Sequence, residues 1–431
     1  MSTTMPVGAG ALLTHRSFLL FLLSRSLSRF SSLIAIVAFG WQVYDLTSSA
    51  FALGMIGLAG FLPTALLVFV AGNFADRYER KRILQACQLA EAMTALLLAW
   101  GAYAGWLNVV DIFIAVLVLG TTAAFENPAT AALLPLVVPE GAVQRATALS
   151  SGSAQLATIT GPALGGIAYA ISPGLPYAMM VVFWLIAAIC AGAIQLTQPA
   201  APKAVATPKG SATLKGSATL KGSATLKGSA TPGDLFAGVN FIRNHPAILG
   251  TLSLDLFAVL FGGVVALLPI YARDILHTGP WGLGVLRAAP ALGALLTTVV
   301  LARQPIARRV GMRMFQAVII YGVATVVFSL SHWIWLSVAA LAVLGAADTV
   351  SVVIRFSLVQ LATPDAMRGR VGAVNFLFIN ASNNLGQFES GVTAALLGTM
   401  PAAVLGGVAT VAIALLWMKL FPTLRDVERL E

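Results

Sequence analysis

Residues 72–82 read GNFADRYERKR, with six charges in eleven positions, and the runs on either side, 51–75 and 83–103, are almost wholly apolar. Each run matches the roughly 20 residues a helix needs to cross the hydrocarbon core of a bilayer. A charged knot between two such runs is a tight loop at a membrane surface. Working outward, runs bounded by charges, Pro and Gly give twelve candidate spans. In the first half these are Ser17 to Tyr44, Phe51 to Ala75, Ile83 to Tyr103, Val109 to Ala132, Arg145 to Ile171 and Tyr177 to Leu196. The second half has Ile248 to Tyr271, Gly282 to Ala302, Met314 to Ser331, Trp335 to Leu361, Val371 to Leu397 and Ala402 to Phe421.

Composition agrees with that count. Of 431 residues, 58% are hydrophobic and 10% charged, with mean hydropathy +0.88, whereas soluble proteins carry about 25% charged residues. A water-soluble domain is excluded. The first span follows His15 and Arg16 without a small-residue cleavage site, so it is expected to be a retained helix and not a signal peptide. With an even number of spans, both termini share one side. Placing them in the cytoplasm leaves Arg273 as the only loop cation on the far side, as the positive-inside rule requires. The net charge of +10 then answers to an anionic inner leaflet, and nucleic acid is not needed as a partner.

Enzymatic chemistry finds no foothold. Cys87 and Cys190 each sit inside an apolar run, there are four His, and no HExxH, dinucleotide-binding or phosphate-loop motif occurs. No metal, cofactor or nucleotide is implied. The GSATLKGS stretch from Gly210 to Ser217 has Lys and Gly in the wrong order for a phosphate loop.

The two halves are related at a shift of 225 residues, which sets Arg145 on Arg370, Gly161 on Gly386 and Gly166 on Gly391. Internal duplication around a central site is how secondary transporters build alternating access. The resulting domains are 1–16 (N-terminus), 17–197 (first six-helix bundle), 198–247 (linker), 248–421 (second bundle) and 422–431 (tail). Within the linker, four KGSAT(L/P) units run from Lys209 to Pro232. They cannot bury a core, and as a flexible coil the 36 residues from Gln198 to Gly233 would span roughly 30–35 Å. Leu235 to Asn244 reads as a short interfacial helix.

Charged groups inside a bilayer are costly and mark function or structural pairing. The candidates are Arg25, Arg29, Glu91, Glu126, Asp255, Arg287, Asp348, Arg355 and Glu389, with Asp111 at a span end. Arg25, Arg29, Glu126, Asp255, Asp348 and Arg355 fall on spans 1, 4, 7 and 10, the leading helices of four three-helix units, and are expected to line one cavity of balanced charge. Glu126, Asp255 and Asp348 are candidate proton-binding groups. The eleventh span concentrates amides, with Asn380, Asn383, Asn384 and Gln387 at helical spacing and Glu389 beyond, either for interhelical hydrogen bonds or to line the site.

GNFADRYERKR resembles the loop signature of the major facilitator superfamily, with Gly72, Asp76, Arg77 and Arg80 matching and Glu79 where that pattern usually has Gly. The resemblance implies a conformational latch at the cytoplasmic side. In the fifth span, Gly161-Pro162-Ala163-Leu164-Gly165-Gly166 looks like the antiporter signature of exporters in that superfamily, while the superfamily's arginine signature in the fourth span is missing. The stretch from Gly345 to Gly391 is similar to the branch that contains enterobactin exporters and drug-exporting relatives. These likenesses imply an all-α, twelve-span transporter of the inner membrane that exports a siderophore or another small amphipathic molecule, with protons as coupling ion, lipid around it and a monomer sufficient. Multidrug efflux is the alternative within that class. A non-transporting membrane sensor is the alternative outside it, although the chain offers no soluble output domain.

Overall fold

A segment in hydrocarbon must satisfy its backbone N–H and C=O groups internally, which favours helices. The computed structural model describes residues 12, 14–139, 141–195, 232–304, 306, 308–364 and 367–429, and among them there are helices and no strands. The first half comprises α1 (Arg16–Thr47), α2 (Ala50–Arg77), α3 (Arg80–Ala104), α4 (Val109–Leu133), α5 (Val143–Ile171) and α6 (Leu175–Ala193). The second comprises α7 (Pro246–Phe261), α8 (Gly279–Arg303), α9 (Val310–Ser329), α10 (Ile334–Ala362), α11 (Arg368–Leu397) and α12 (Thr399–Leu420). Ten helical segments among the described residues are long and apolar enough to cross a membrane, which makes this a multi-pass membrane protein. The α5 and α11 helices, 29 and 30 residues long, match the others in length but contain no comparably apolar 18-residue stretch among the described residues.

Local chemistry sets the helix ends. Ser49 accepts a hydrogen bond from the Ala52 amide at the start of α2, and Gly105 ends α3 at φ +77°. Asp111, a charge at a span end, belongs to a capping box in which its carboxylate accepts from the Asn108 amide at 3.0 Å. One expected continuous span is interrupted. The α7 helix stops at Phe261, turns through Gly262 and Gly263, and resumes as short helical turns that end in a π-helical turn at Tyr271–Ile275. Gly263 is pressed against the Gly386 backbone, where a side chain would not fit, and the Tyr321 hydroxyl donates to the Gly262 carbonyl at 3.1 Å. The break therefore leaves that carbonyl satisfied.

The two halves repeat one set of helix pairings. In the first, α1 packs on α5 and α6, α2 on α4, and α3 on α4 and α6; in the second, α7 packs on α11 and α12, α8 on α10, and α9 on α10 and α12. Two further pairings join the halves, α2 with α11 and α5 with α8. Small residues permit both joins, as is usual for helices in lipid. A Cβ on Gly54 would lie 2.9 Å from the Gly391 Cα, and one on Gly166 would lie 2.9 Å from the Gly284 Cα. Gly166 and Gly391 are partners under the 225-residue repeat, so the same duplicated position makes both seams.

Most of the repeat linker lies outside the described residues. The helix that follows it, Pro232–Arg243, does more than rest on a surface: Ile242 is buried with Ile248, Leu252, Val359, Val371 and Val374. The apolar side of that segment thereby docks on α7, α10 and α11.

Replacing Gly166 by Val should overpack the α5–α8 seam, at a typical cost of about 1–3 kcal/mol, or roughly 5- to 150-fold in a two-state ratio. With the buried Cys87 and Cys190 replaced by Ala and one cysteine placed at Ser32 in the cavity wall, thiol labelling from the side on which Arg273 lies should rise. Unchanged labelling would contradict the seam's role.

Candidate functional site

The seams hold the halves together toward the end of the molecule where α1 meets α2, while the arginine-rich α2–α3 turn lies at the other end. Between the halves is a cavity of about 650 Å³, within the range of pockets that hold a drug-sized ligand. Its polar wall begins on α1, where Arg25, Ser28, Arg29 and Ser32 recur at spacings of three and four and so share one face. Glu126, Asn127 and Thr130 come from α4, Glu91 from α3, Arg287 from α8, and Asn384 and Gln387 from α11. Phe39, Leu53, Ile56, Val116 and Leu119 supply apolar wall.

The carboxylates are held by their neighbours. Glu126 Oε1 accepts from Ser28 Oγ at 2.9 Å and from Gln88 Nε2 at 3.2 Å, and Gln88 is itself fixed by Ser24. Glu91, buried at 3% exposure, accepts from Thr122 Oγ1 at 2.7 Å and interacts with Glu126. The arginines are not held in this way. Among the described residues, Arg25, Arg29 and Arg287 make no ion pair, and the Arg287 Nε is buried with no hydrogen-bond partner. Arg25 and Arg29 feel Glu126 only through space.

Three of the six charges expected to share this cavity are elsewhere. Asp255 on α7 and Arg355 on α10 form an ion pair inside the second half, with side chains 8% and 3% exposed. Asp348 lies beside them with Tyr321 and Ser351 around a space of about 10 Å³, room for one water at most. Asp255 and Arg355 consume each other because α7 and α10 pack within one half. In exchange the cavity takes Glu91 and Arg287. The expected balance of charge is therefore corrected to three arginines against two glutamates among the described lining residues.

The amides of α11 also divide. Asn384 and Gln387 line the cavity, with Gln387 packed on Gly57 of α2, whereas Asn383 is exposed and donates to its own helix at the Ile379 carbonyl. Asn380 is half-buried and outside the lining, and Glu389 accepts from Thr393 Oγ1 on α11 itself at 2.8 Å. Of the loop motif, Gly72 and Asp76 fall in the last turns of α2, and the Asp76 side chain is outside the described residues. Arg77 is exposed, Arg80 donates to the Ala132 carbonyl at the end of α4, and Glu79 pairs with Arg82 at 2.6 Å. In α5, Gly161 abuts Leu33, Gly165 abuts Ile34, and Pro162 and Gly166 abut Gly284. That hexamer is where α1, α5 and α8 meet.

At the end where α1 meets α2, the halves are also tied by polar contacts that the sequence reading did not anticipate. The Tyr44 hydroxyl donates to Asp274, and Arg273 pairs with Asp45 at 3.0 Å and donates to the Tyr44 carbonyl at 3.4 Å. Arg273 is the lone loop cation on its side, and Asp45 directly across the halves gives it a reason. Among the described residues, no group of three or more His, Cys, Asp or Glu side chains could hold a metal ion.

A paired-bundle fold around a central polar cleft defines a secondary-transporter architecture. The chain belongs to the Major Facilitator Superfamily, whose sequence profile matches residues 21–387. It is 26% identical to the MFS-type transporter YvqJ of Bacillus subtilis over 90% of this chain and 87% of that protein. It is 25% identical to the enterobactin exporter EntS of Citrobacter koseri over 96% and 93%. The multidrug efflux pump Tap of Mycobacterium tuberculosis is 26% identical over 83% and 82%. The fold matches a bacterial homologue of the lysosomal transporter Spinster with TM-score 0.69 and 13% identity, covering 96% of each chain.

Asp255→Asn should strand the buried Arg355 and cost about 3–5 kcal/mol, while the apolar pair Asp255→Leu with Arg355→Met should cost far less. Thermal unfolding of the purified protein compares the two; equal losses would remove the ion pair as the reason these charges are there.

Proposed function

We propose that the chain is a twelve-span exporter of the inner membrane, with both termini and the linker in the cytoplasm, moving a small amphipathic molecule outward by alternating access driven by the proton gradient. The observation that carries this reading is the central cavity, walled by both halves and crossed at one end by close glycine seams. The α5 and α11 helices count as spans in this reading. Their polarity is at home where each packs across the halves and lines the cleft. The basic loops at the α2–α3 end face the anionic leaflet, so the closed seams face outward and the cavity is poised to load from inside.

Glu126 is the proton-binding group in this scheme. It lies in the cavity wall within the field of Arg25 and Arg29, so its charge state alters the ground that a cargo meets. Asp255 and Asp348 act within the second half as structural or coupling groups. Gly72, Asp76, Arg77 and Arg80 form a latch at the cytoplasmic side, and the α5 hexamer is the pivot. The likeness to an enterobactin exporter along almost the whole chain favours a siderophore as cargo. Multidrug efflux is the second reading, supported by the likeness to Tap.

Two measurements test this. Mass spectrometry of medium and cell extract from iron-starved cells, with and without the gene, should show an iron chelator retained inside when the gene is lost; unchanged siderophores would move the assignment to drug efflux. In proteoliposomes, Glu126→Gln should lower gradient-driven transport at least about tenfold, while downhill exchange persists. Transport that keeps its full gradient dependence would take Glu126 out of the coupling path.

A further inference from the structure

Among the described residues, the cavity wall carries more cations than carboxylates, and its arginines make no ion pair. Arg25 and Arg29 come from α1 in the first half, and Arg287 comes from α8 in the second. Even with both glutamates ionised, the described lining residues leave one positive charge over. Glu126 Oε1 accepts from Ser28 and Gln88 and Glu91 Oε1 accepts from Thr122, and among the described residues neither carboxylate makes an ion pair with a cavity arginine. Each guanidinium has five N–H donors in a planar fork that suits carboxylate, sulfonate or catecholate oxygens. The Arg287 Nε is buried with no partner, a state that costs free energy unless a ligand completes it. Its Nη2 lies 4.0 Å from where a Cβ on Gly40 would stand, so the side chain reaches from the second half onto α1.

We propose that the cargo is an amphipathic organic anion, clamped between Arg29 of one half and Arg287 of the other, with its apolar part against Phe39, Ile56 and Leu119. This rests on the transporter reading above and narrows it: lipophilic cations are the wrong charge for this wall. An anion bridging the two arginines also ties the halves together across the cleft, so cargo and conformation share the same contacts.

The test uses two dyes built on one xanthene ring system, fluorescein as the anion and rhodamine 123 as the cation. Full-length protein in lipid nanodiscs is titrated with each by fluorescence anisotropy, with protein-free nanodiscs subtracted. The expected result is fluorescein binding at least about tenfold tighter than rhodamine 123. Arg29→Gln and Arg287→Gln should each weaken fluorescein about tenfold and leave rhodamine 123 unchanged or tighter. Equal or tighter binding of rhodamine 123 to the parent protein overturns the proposal, and so does binding of neither dye. The parent comparison stands even if a variant fails to fold. Proteoliposome flux separates the two claims. Fluorescein that binds but is never moved would end the transporter reading while leaving the anion site, whereas flux of rhodamine 123 alone would do the reverse.

Discussion

Two glycine crossings decide what the rest of this molecule can do. Where α2 meets α11 and α5 meets α8, backbone lies on backbone at Gly54–Gly391 and Gly166–Gly284, with no side chain between. In lipid there is little hydrophobic force to bring helices together, so close van der Waals approach and polar contacts carry the association. A seam of that kind is thin. It holds the halves at one end, and the cleft exists because the same helices run apart from those points. The polar ties between Tyr44, Asp45, Arg273 and Asp274 lie at the same end; Tyr44 is buried, but Asp45, Arg273 and Asp274 are partly exposed, so their ion pairs can be exchanged for water at modest cost.

The cavity and the second half treat charge in opposite ways. In the second half, Asp255 and Arg355 neutralise each other in a dry setting, and Asp348 sits over a space that admits one water. In the cleft, Glu126 and one oxygen of Glu91 are secured by hydroxyl and amide donors, while among the described residues the three guanidiniums make no ion pair. That asymmetry separates structure from function more sharply than burial does. A charge that has found its partner holds helices in place, and one that has not is available to a ligand.

Much of this fold is legible in the sequence, because a bilayer imposes length and apolarity on anything that crosses it. The ends of α4 and α5 fall where Asn108 with Asp111 and the polar run after Pro139 put them. The glycines of the repeat, Gly161 with Gly386 and Gly166 with Gly391, turn out to be equivalent packing points, the first pair facing α1 and α7 and the second forming the two seams. What the sequence hid were pairings across large separations. Nothing local says that Asp255 will meet Arg355 a hundred residues later, so both looked like cavity groups. Arg287 stood on a helix outside the four expected to line the site, and only the α5–α8 seam brings it there. The break at Gly262 was hidden as well, since two glycines inside an apolar run look the same to hydropathy whether the helix continues or stops.

Alternating access makes one geometric demand that can be measured without knowing the cargo. Spin labels at Trp106 and Trp333, exposed residues of different halves at the seam end, report that end, and labels at Thr147 and Arg308, exposed near the starts of α5 and α9, report the other. Pulsed dipolar spectroscopy in nanodiscs, across a range of pH, should show two populations in which one distance lengthens as the other shortens. A single unchanging distance at both ends, or two that lengthen together, would contradict the picture of two rigid halves rocking about the glycine seams.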